Sequence, residues 1–523
     1  MADVCDHALP GQPDRSLMST PEVPGLDLLQ CPVCGGPLSL GAIGRIACRQ
    51  CHASVPVREG IIDFVAGSAS TDLDHIDYDQ FYAITEKNSA HLYRIIKASA
   101  GPLWPMSLGD AVEIGCGTGG FTMAVLRETA ASNVILTDIS TKMLGLCRAR
   151  LARFADLRAN SLTFATYGGK QACFRPDAFD TCFGTAVVHH ITDVPDFLAQ
   201  VQRLLKPGGR AFFMEPNLRF HAALTATLAM ILGEWLSHGT VPRADISRMA
   251  NWLAEVHCNI VNSGDLDVLV EREDKHLFVG ETFEAMAEAA GFGVASALPG
   301  GLDPTGLNTV GTYLDQTGVS HATLDRLRAN WPAAQNQHFG SLQPRDQSPS
   351  YLFWLQKKTR KKPVWQAASR RLGSPLPAST MRLGSCAAEA GPPTQLCLTF
   401  ALRRHAEGLQ LEVDGWCLTA EMVKSLRVTA GGQRNKLPIW RPRLDVQTML
   451  NRDRRYPAVH ALCSGVEGKL PVADVAAGNK PIQVMFDIVT VDDRLLRGRS
   501  IMLVPDGDSR TIQIDSLGEP QVD

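Results

Sequence analysis

From Ala111 to Gly120 the chain runs Ala-Val-Glu-Ile-Gly-Cys-Gly-Thr-Gly-Gly, and the helical stretch Met123 to Glu128 follows at once. An apolar strand entering a turn that only small residues can make, then a helix, opens a βαβ unit and predicts an α/β fold with crossover helices. Backbone amides at such a turn and at the helix start can approach a ligand's polar groups closely. A second apolar run, Asn133 to Thr137, ends at Asp138, nineteen residues after Gly119, where an acid can accept both ribose hydroxyls of a nucleoside. Glu113 precedes the first glycine by two residues; a charge in a buried strand implies a polar ligand group to serve.

Gly115, Gly117 and Gly120 also satisfy Gly-x-Gly-x-x-Gly, so the loop spacing alone leaves a nicotinamide-dependent dehydrogenase open. The segments downstream separate the two. With Glu113-x-Gly115-x-Gly117-x-Gly119, then Asp138-Ile139-Ser-x-x-Met143, then Phe179-Asp180 leading a strand to His189-His190-Ile191, and Leu204-Leu-Lys-Pro-Gly-Gly209 before Ala211 to Met214, the chain resembles S-adenosylmethionine-dependent methyltransferases of the Rossmann-like class, type 11-like, over residues 71–360. The resemblance implies a seven-stranded, mostly parallel sheet with an antiparallel last strand, to which Gly291-Phe292 and Tyr351 to Leu355 supply the final two strands. It places the methionine moiety against Gly115, Gly117 and Gly119 with Glu113 below, the ribose on Asp138 and the adenine beside Ile139 and Met143. Tyr78 and Tyr82 fall on the helix that usually closes over the cofactor. Where the family commonly has Gly-Asp after the third strand, this chain has Gly168-Gly169-Lys170-Gln171, and Gln171 is the candidate substitute for the missing acid.

The sulfonium of S-adenosylmethionine already activates the methyl group, so such an enzyme mainly aligns an acceptor and excludes water. A base, where one is needed, belongs in a strand-end loop at the carboxyl edge of the sheet. His190 and Glu215 are the catalytic candidates there; pocket shaping is the competing reading of the His189-His190 pair, and Phe212, Phe213 and Met214 read as core. The apolar run Ala222 to Leu236 reads first as core, with an acceptor pocket or a membrane-surface contact as alternatives. It spans fifteen residues and contains Glu234, too short to cross a bilayer.

Cys31-x-x-Cys34 and Cys48-x-x-Cys51 are separated by thirteen residues. Four soft ligands on two tight turns suit a closed tetrahedral structural Zn²⁺, with redox pairs or free thiols as alternatives. About forty residues bury too little core to fold alone, so the metal would supply folding energy. Through Val55 to Phe64 the unit resembles the zinc ribbon of many bacterial methyltransferases and the small zinc-ribbon activator subunit of others, implying docking or substrate presentation.

Five segments follow: a disordered tail 1–25, a zinc ribbon 26–66, the methyltransferase-like region 71–360, a linker 361–393 that continues the basic run begun at Lys357, and a C-terminal all-β unit 394–516. In the last, Leu396, Leu398, Phe400 and Leu402, then Leu409, Leu411 and Val413, alternate at period two. It weakly resembles β-sandwich modules of polysaccharide-assembly enzymes, through Trp416, Trp440 and Asp445. Lys plus Arg 51 against Asp plus Glu 54 creates no field to collect a polyanion. A saccharide, lipid-linked or small-molecule hydroxyl or amine is therefore the expected acceptor, with RNA, or a non-catalytic scaffold, as the alternative. The N-terminal residues lack a basic start and apolar core, so a cytoplasmic location is expected.

Overall fold

The computed structural model describes residues 23–41, 44–65, 86–169, 172–269, 272–301, 303–359, 394–405, 408–449, 451, 456–472 and 480–514. Tyr78, Tyr82, Lys170, Gln171, the tail to residue 22 and the linker lie outside them. Four short strands come first: β1 (Leu38–Leu40), β2 (Arg45–Cys48), β3 (Ser54–Arg58) and β4 (Ile61–Ile62). After α1 (Glu86–Ala100) the glycine region forms β5 (Ala111–Ile114) and α2 (Gly120–Leu126). There follow β6 (Ala131–Asp138), α3 (Thr141–Leu151), β7 (Ala159–Thr166), β8 (Phe179–Thr185), α4 (Val194–Leu204) and β9 (Leu205–Pro216). Then come α5 (Leu218–His238), α6 (Arg243–Val261), α7 (Leu266–Leu269), α8 (Gly280–Ala289), β10 (Phe292–Pro299), α9 (Leu307–Gln316), α10 (His321–Phe339) and β11 (Ser350–Lys357).

These strands make one mixed sheet in the order β1-β2-β3-β4-β7-β6-β5-β8-β9-β11-β10. Strands β5 to β9 are parallel to their neighbours in this set, while β11 runs antiparallel to both β9 and β10. Seven of the eleven, β5 to β11, belong to residues 71–360, and the other four come from the cysteine unit. Ile61 and Ile62 of β4 pair in parallel with Phe164 and Ala165 of β7, so the cysteine unit extends the sheet it was expected to stand beside. Asp63 accepts from the Thr166 hydroxyl (3.0 Å) and Gln30 N–H donates to the Cys173 carbonyl (2.8 Å), which ties the unit to both sides of the loop after β7.

Alternation along the strands sorts side chains onto two faces. Val112, Ile114 and Phe213 join Phe197 of α4 and Phe283 of α8 on one face. Ala111, Phe183 and Phe212 join Ile96 of α1, Phe121 of α2 and Leu144 of α3 on the other. Phe212 stacks between Phe183 and Trp354, with ring centroids 5.3 and 5.7 Å away, as a core residue should. Ser140, Asp193 and Asn217 cap the N-termini of α3, α4 and α5, each side chain accepting an orphan amide of the first turn.

The apolar run on α5 is core. Phe220, Leu224, Leu228 and Trp235 pack with α6, α9 and α10, and a helix apolar on nearly all sides has to be covered this way. Among the described residues no helix is long and apolar enough to cross a membrane.

The C-terminal region forms two four-stranded antiparallel sheets. Leu396, Leu398, Phe400, Leu411 and Val413 point into their shared core, as the period-two pattern requires. The region is not wholly β. Helices α11 (Leu444–Met449) and α12 (Ala458–Leu462) interrupt it, and Val459, Leu462 and Cys463 complete the apolar cover over α5. Lys436 bridges Asp265 and Asp267 across the same junction (3.2 and 3.0 Å), and the Arg272 guanidinium lies 5.0 Å from the Trp440 ring centre. Trp416 packs with Tyr456 and Val446, so these tryptophans are structural in position.

Candidate functional site

Strand β5 sits at the centre of the parallel set, with β6 on one side and β8 on the other, so the crevice beyond its carboxyl end is where an open α/β sheet binds ligands. Gly115, Gly117 and Gly119 turn there with φ of 68°, 52° and 83°, in the left-handed region that favours glycine. A methyl at Gly115 would lie 2.5 Å from Val187 Cγ2 and one at Gly119 2.7 Å from Cys147 Sγ. At Gly117 it would meet no described residue within 4 Å, which leaves a cradle above the middle of the loop.

Asp138, at the end of β6, is joined to that loop. Its carboxylate accepts Gly117 N–H (3.0 Å) on one oxygen and Ser140 N–H (2.9 Å) on the other. Burial raises its pKa against the pull of these amides. A carboxylate has about four lone-pair sites, and with the amides of Gly117, Ser140 and Ile139 against it, acceptor capacity is left for a ribose hydroxyl. Ile139 is exposed beside it, whereas Met143 is buried beneath.

Glu113 is fully buried. One oxygen accepts the Thr122 hydroxyl (2.6 Å), and the other, Oε1, has no hydrogen-bond partner among the described residues. Burial pushes this carboxyl up to about 8, an effect that the Thr122 bond offsets only in part. A buried carboxyl oxygen with no described partner, under a glycine cradle, fits a ligand that brings a donor, as the amino group of S-adenosylmethionine would. The carboxylate on Asp138 and the space at Gly117 fit the rest of that molecule.

The second cluster lies one strand away. Val187, which closes on Gly115, also donates its N–H to Glu215 at the end of β9 (3.0 Å). Glu215 further accepts Val188 N–H (2.9 Å), His189 N–H (3.3 Å) and His189 Nδ1 (2.7 Å). Its two oxygens are thereby saturated, which puts Glu215 in the place of a partner to His189 and leaves it no acceptor for a substrate proton, contrary to its reading as a base. His189 Nε2 meets Asp274 at 3.2 Å. Burial disfavours the charged ring, but Asp274 and Glu215 outweigh it and raise His189 to about 10.

His190 differs from its neighbour. Its Nδ1 lies 2.9 Å from the Glu273 carbonyl, which can only accept, so Nδ1 carries the proton and Nε2 the lone pair. No described residue hydrogen-bonds to that Nε2. Burial and the nearby His189 hold its pKa below the usual imidazole value, so the ring is neutral at pH 7. Asp274 had no sequence signal: it lies 85 residues beyond His189, in a charged stretch like any solvated loop.

In the N-terminal unit Cys31 and Cys51 Sγ are 3.6 Å apart and Cys34 and Cys48 Sγ 3.5 Å, and all four sulfurs lie within 4.8 Å of one another. Four thiolates about 2.3 Å from a common Zn²⁺ sit roughly 3.8 Å apart, so the set fits. The amides of Cys51 and Gln50 point at Cys48 Sγ and pull that thiol down to about 6.

Residues 112–211, from β5 into β9, match the family described as methyltransferase domain. Fold and match together define the class of the central region: a methyltransferase domain of the S-adenosylmethionine-dependent, Rossmann-like kind. The chain is similar to the reducing polyketide synthase Preu2 of Preussia isomera, 27% identical over 124 residues, or 24% of this chain and 5% of that protein. It is likewise similar to the polyketide synthase component of lovastatin nonaketide synthase from Aspergillus terreus, 30% identical over 128 residues, 24% of this chain and 4% of that protein. The chain thus spans about a twentieth of these relatives' length. Among solved structures, phosphoethanolamine N-methyltransferase 2 of Haemonchus contortus matches 54% of this chain and 60% of its own, at 18% identity and a TM-score of 0.31.

Proposed function

We propose that the chain transfers the methyl group of S-adenosylmethionine to a small-molecule acceptor, a hydroxyl or an acidic carbon, that loses its proton to His190. The observation that carries this reading is Glu113 Oε1, without a partner among the described residues, beneath the glycine loop and with Asp138 beside it. Glu113, Gly115, Gly117, Gly119, Asp138, Ile139 and Met143 form the cofactor side in this reading. The cofactor supplies an electrophilic methyl group; the chain supplies alignment, exclusion of water and a proton acceptor. The acceptor's proton goes to His190 Nε2 and from there to water, and its freed electron pair forms the new bond to carbon. Bound there, S-adenosylmethionine would give up its methyl group and leave as the neutral thioether, so charge and atoms balance.

The likeness to polyketide synthases favours an acyl group with an acidic carbon, beside the saccharide or lipid-linked hydroxyl that the C-terminal sheets suggest. Cys31, Cys34, Cys48 and Cys51 hold one structural zinc, in a ribbon over 26–66 that continues the sheet, and 394–516 form a β-sandwich-like unit. Incubation with labelled cofactor and separate RNA, protein, lipid-linked glycan, acyl-thioester and small-molecule fractions tests the reading. Label in a small-molecule, glycan or acyl fraction, lost in His190→Gln, is expected. Label only in RNA, or tight NAD binding with no response to S-adenosylhomocysteine, would reject it.

A further inference from the structure

Resting on that reading, we propose that Glu215 and Asp274 lock His189 as a fixed cation, and that this cation keeps His190 available as a proton acceptor. Asp274 is then a positioning residue, acting on the acceptor only through the two rings. Glu215 takes three backbone N–H groups and His189 Nδ1 on its two oxygens, four donors that fill their lone-pair sites. Asp274 is half-exposed and ionised at neutral pH. An ionised carboxylate only accepts, so the His189 nitrogens, 2.7 Å from Glu215 and 3.2 Å from Asp274, must both donate, and the ring that does so is an imidazolium.

The two rings are 3.9 Å apart, centroid to centroid. A second proton on His190 would place like charges at that separation, and the Glu273 carbonyl already fixes the tautomer with Nε2 free. The carboxylates of Asp274 and Glu273 pull His190 the other way, and burial together with the His189 charge outweighs them. Asp274 lies 3.7 Å from His190 Nδ1 but is engaged by His189. Lys275 and His276 donate their backbone N–H groups to the His189 carbonyl, and His276 Nε2 is spent on the Ile191 carbonyl. His221, held by the Asn217 carbonyl, is kept neutral by burial. Segment 272–276 is thus strapped to the histidine turn. A fixed positive charge beside the proton acceptor also selects the acceptor class: it favours groups that become anionic on losing a proton, a hydroxyl or an acidic carbon, over a cationic amine.

The test is a ¹⁵N-histidine titration of the full chain by NMR, with His189→Gln and His190→Gln to assign the rings. In the wild type one ring should stay doubly protonated from pH 5.5 to 9, and the other should be neutral at pH 7, protonated at Nδ1, with its midpoint below the usual imidazole value. His189→Gln should raise the His190 midpoint by about one pH unit, roughly a tenfold change in the ratio of charged to neutral ring; Asp274→Ala, which also removes a carboxylate 3.7 Å from His190 Nδ1, should lower the His189 midpoint without raising that of His190. The acid limb of the methyl-transfer profile should move with the His190 midpoint, measured on whichever fraction takes label, and Asp274→Asn should behave as Asp274→Ala does. S-adenosylhomocysteine binding, unchanged in every variant, reports that the fold is intact. An ordinary imidazole titration for His189 in the wild type, a His189 midpoint unmoved in Asp274→Ala, a His190 midpoint unmoved in His189→Gln, or a proton on His190 Nε2 would overturn the proposal. His189→Gln dead at every pH would do so as well, by making His189 the base. Loss of cofactor binding in wild-type protein, or full activity in His190→Gln, would instead defeat the underlying functional reading.

Discussion

Replacing Glu113 with glutamine removes a charge without changing shape, and the structure predicts opposite effects on stability and on cofactor binding. In the free protein the carboxyl, held at about 8, is some 90% protonated at pH 7. A cationic amino group placed against Oε1 favours the ionised form, so binding at pH 7 should release about 0.9 proton per site. The binding constant should then rise about tenfold from pH 6 to pH 7 and level off above pH 8. Calorimetry with S-adenosylhomocysteine in buffers of different ionisation enthalpy measures the proton count directly. Glu113→Gln should abolish the release, flatten the profile and weaken binding by roughly 1.5 to 3 kcal/mol, the worth of one charge-assisted hydrogen bond.

Stability should respond the other way. A carboxyl whose folded pKa is raised contributes stability that is fully present below its unfolded value of 4.5 and lost as pH rises through about 8. The wild type should therefore lose a few kcal/mol across that window, and the glutamine variant should not. Binding without proton release, with a flat pH profile and an equal affinity for Glu113→Gln, would refute the assignment of Glu113 to the cofactor.

Further outcomes follow from other parts of the site. Elemental analysis should find one zinc per chain, lost in Cys31→Ser with Cys48→Ser, because four filled positions leave no partial site of comparable strength. Asp138→Ala should weaken S-adenosylhomocysteine binding by roughly 1.5 to 3 kcal/mol for each ribose bond lost, read by calorimetry. Gly115→Ala should cost about 1 to 3 kcal/mol in denaturant melts, since its methyl would stand 2.5 Å from Val187 on backbone at φ 68°. The His189 ion pairs, with the ring raised to about 10, contribute stability fully present below pH 6.5 and lost as pH rises through 10; Glu215→Gln should reduce that alkaline loss in thermal melts.

The glycine loop, Asp138 and the paired cysteines were legible because each depends on local chain geometry. Residues within a turn, or at two adjacent strand ends, come together whatever surrounds them. The alternation in β12 (Gln395–His405) and β13 (Gly408–Leu418) was legible for the same reason, since period two already states which side chains share a face. The buried strands β8 and β9 were marked by their apolar runs, and Phe212 proved to be core as its neighbours implied.

What the sequence determined by itself is therefore the set of short-range devices: a glycine loop beside an acid, a four-thiol unit and a parallel α/β sheet. What only the tertiary structure decided is how separate devices meet. The join of β4 to β7, which turns seven strands into eleven, depends on two isoleucines in a two-residue strand too short to carry any pattern. The covering of α5 by Val459 and Leu462 needs contacts across more than 200 residues. The state of His189 and His190 rests on Glu215, Glu273 and Asp274, supplied by elements that approach the turn only after the sheet has closed. Charge and tautomer are set by whichever groups lie within a few ångströms, and that neighbourhood is a property of the folded chain.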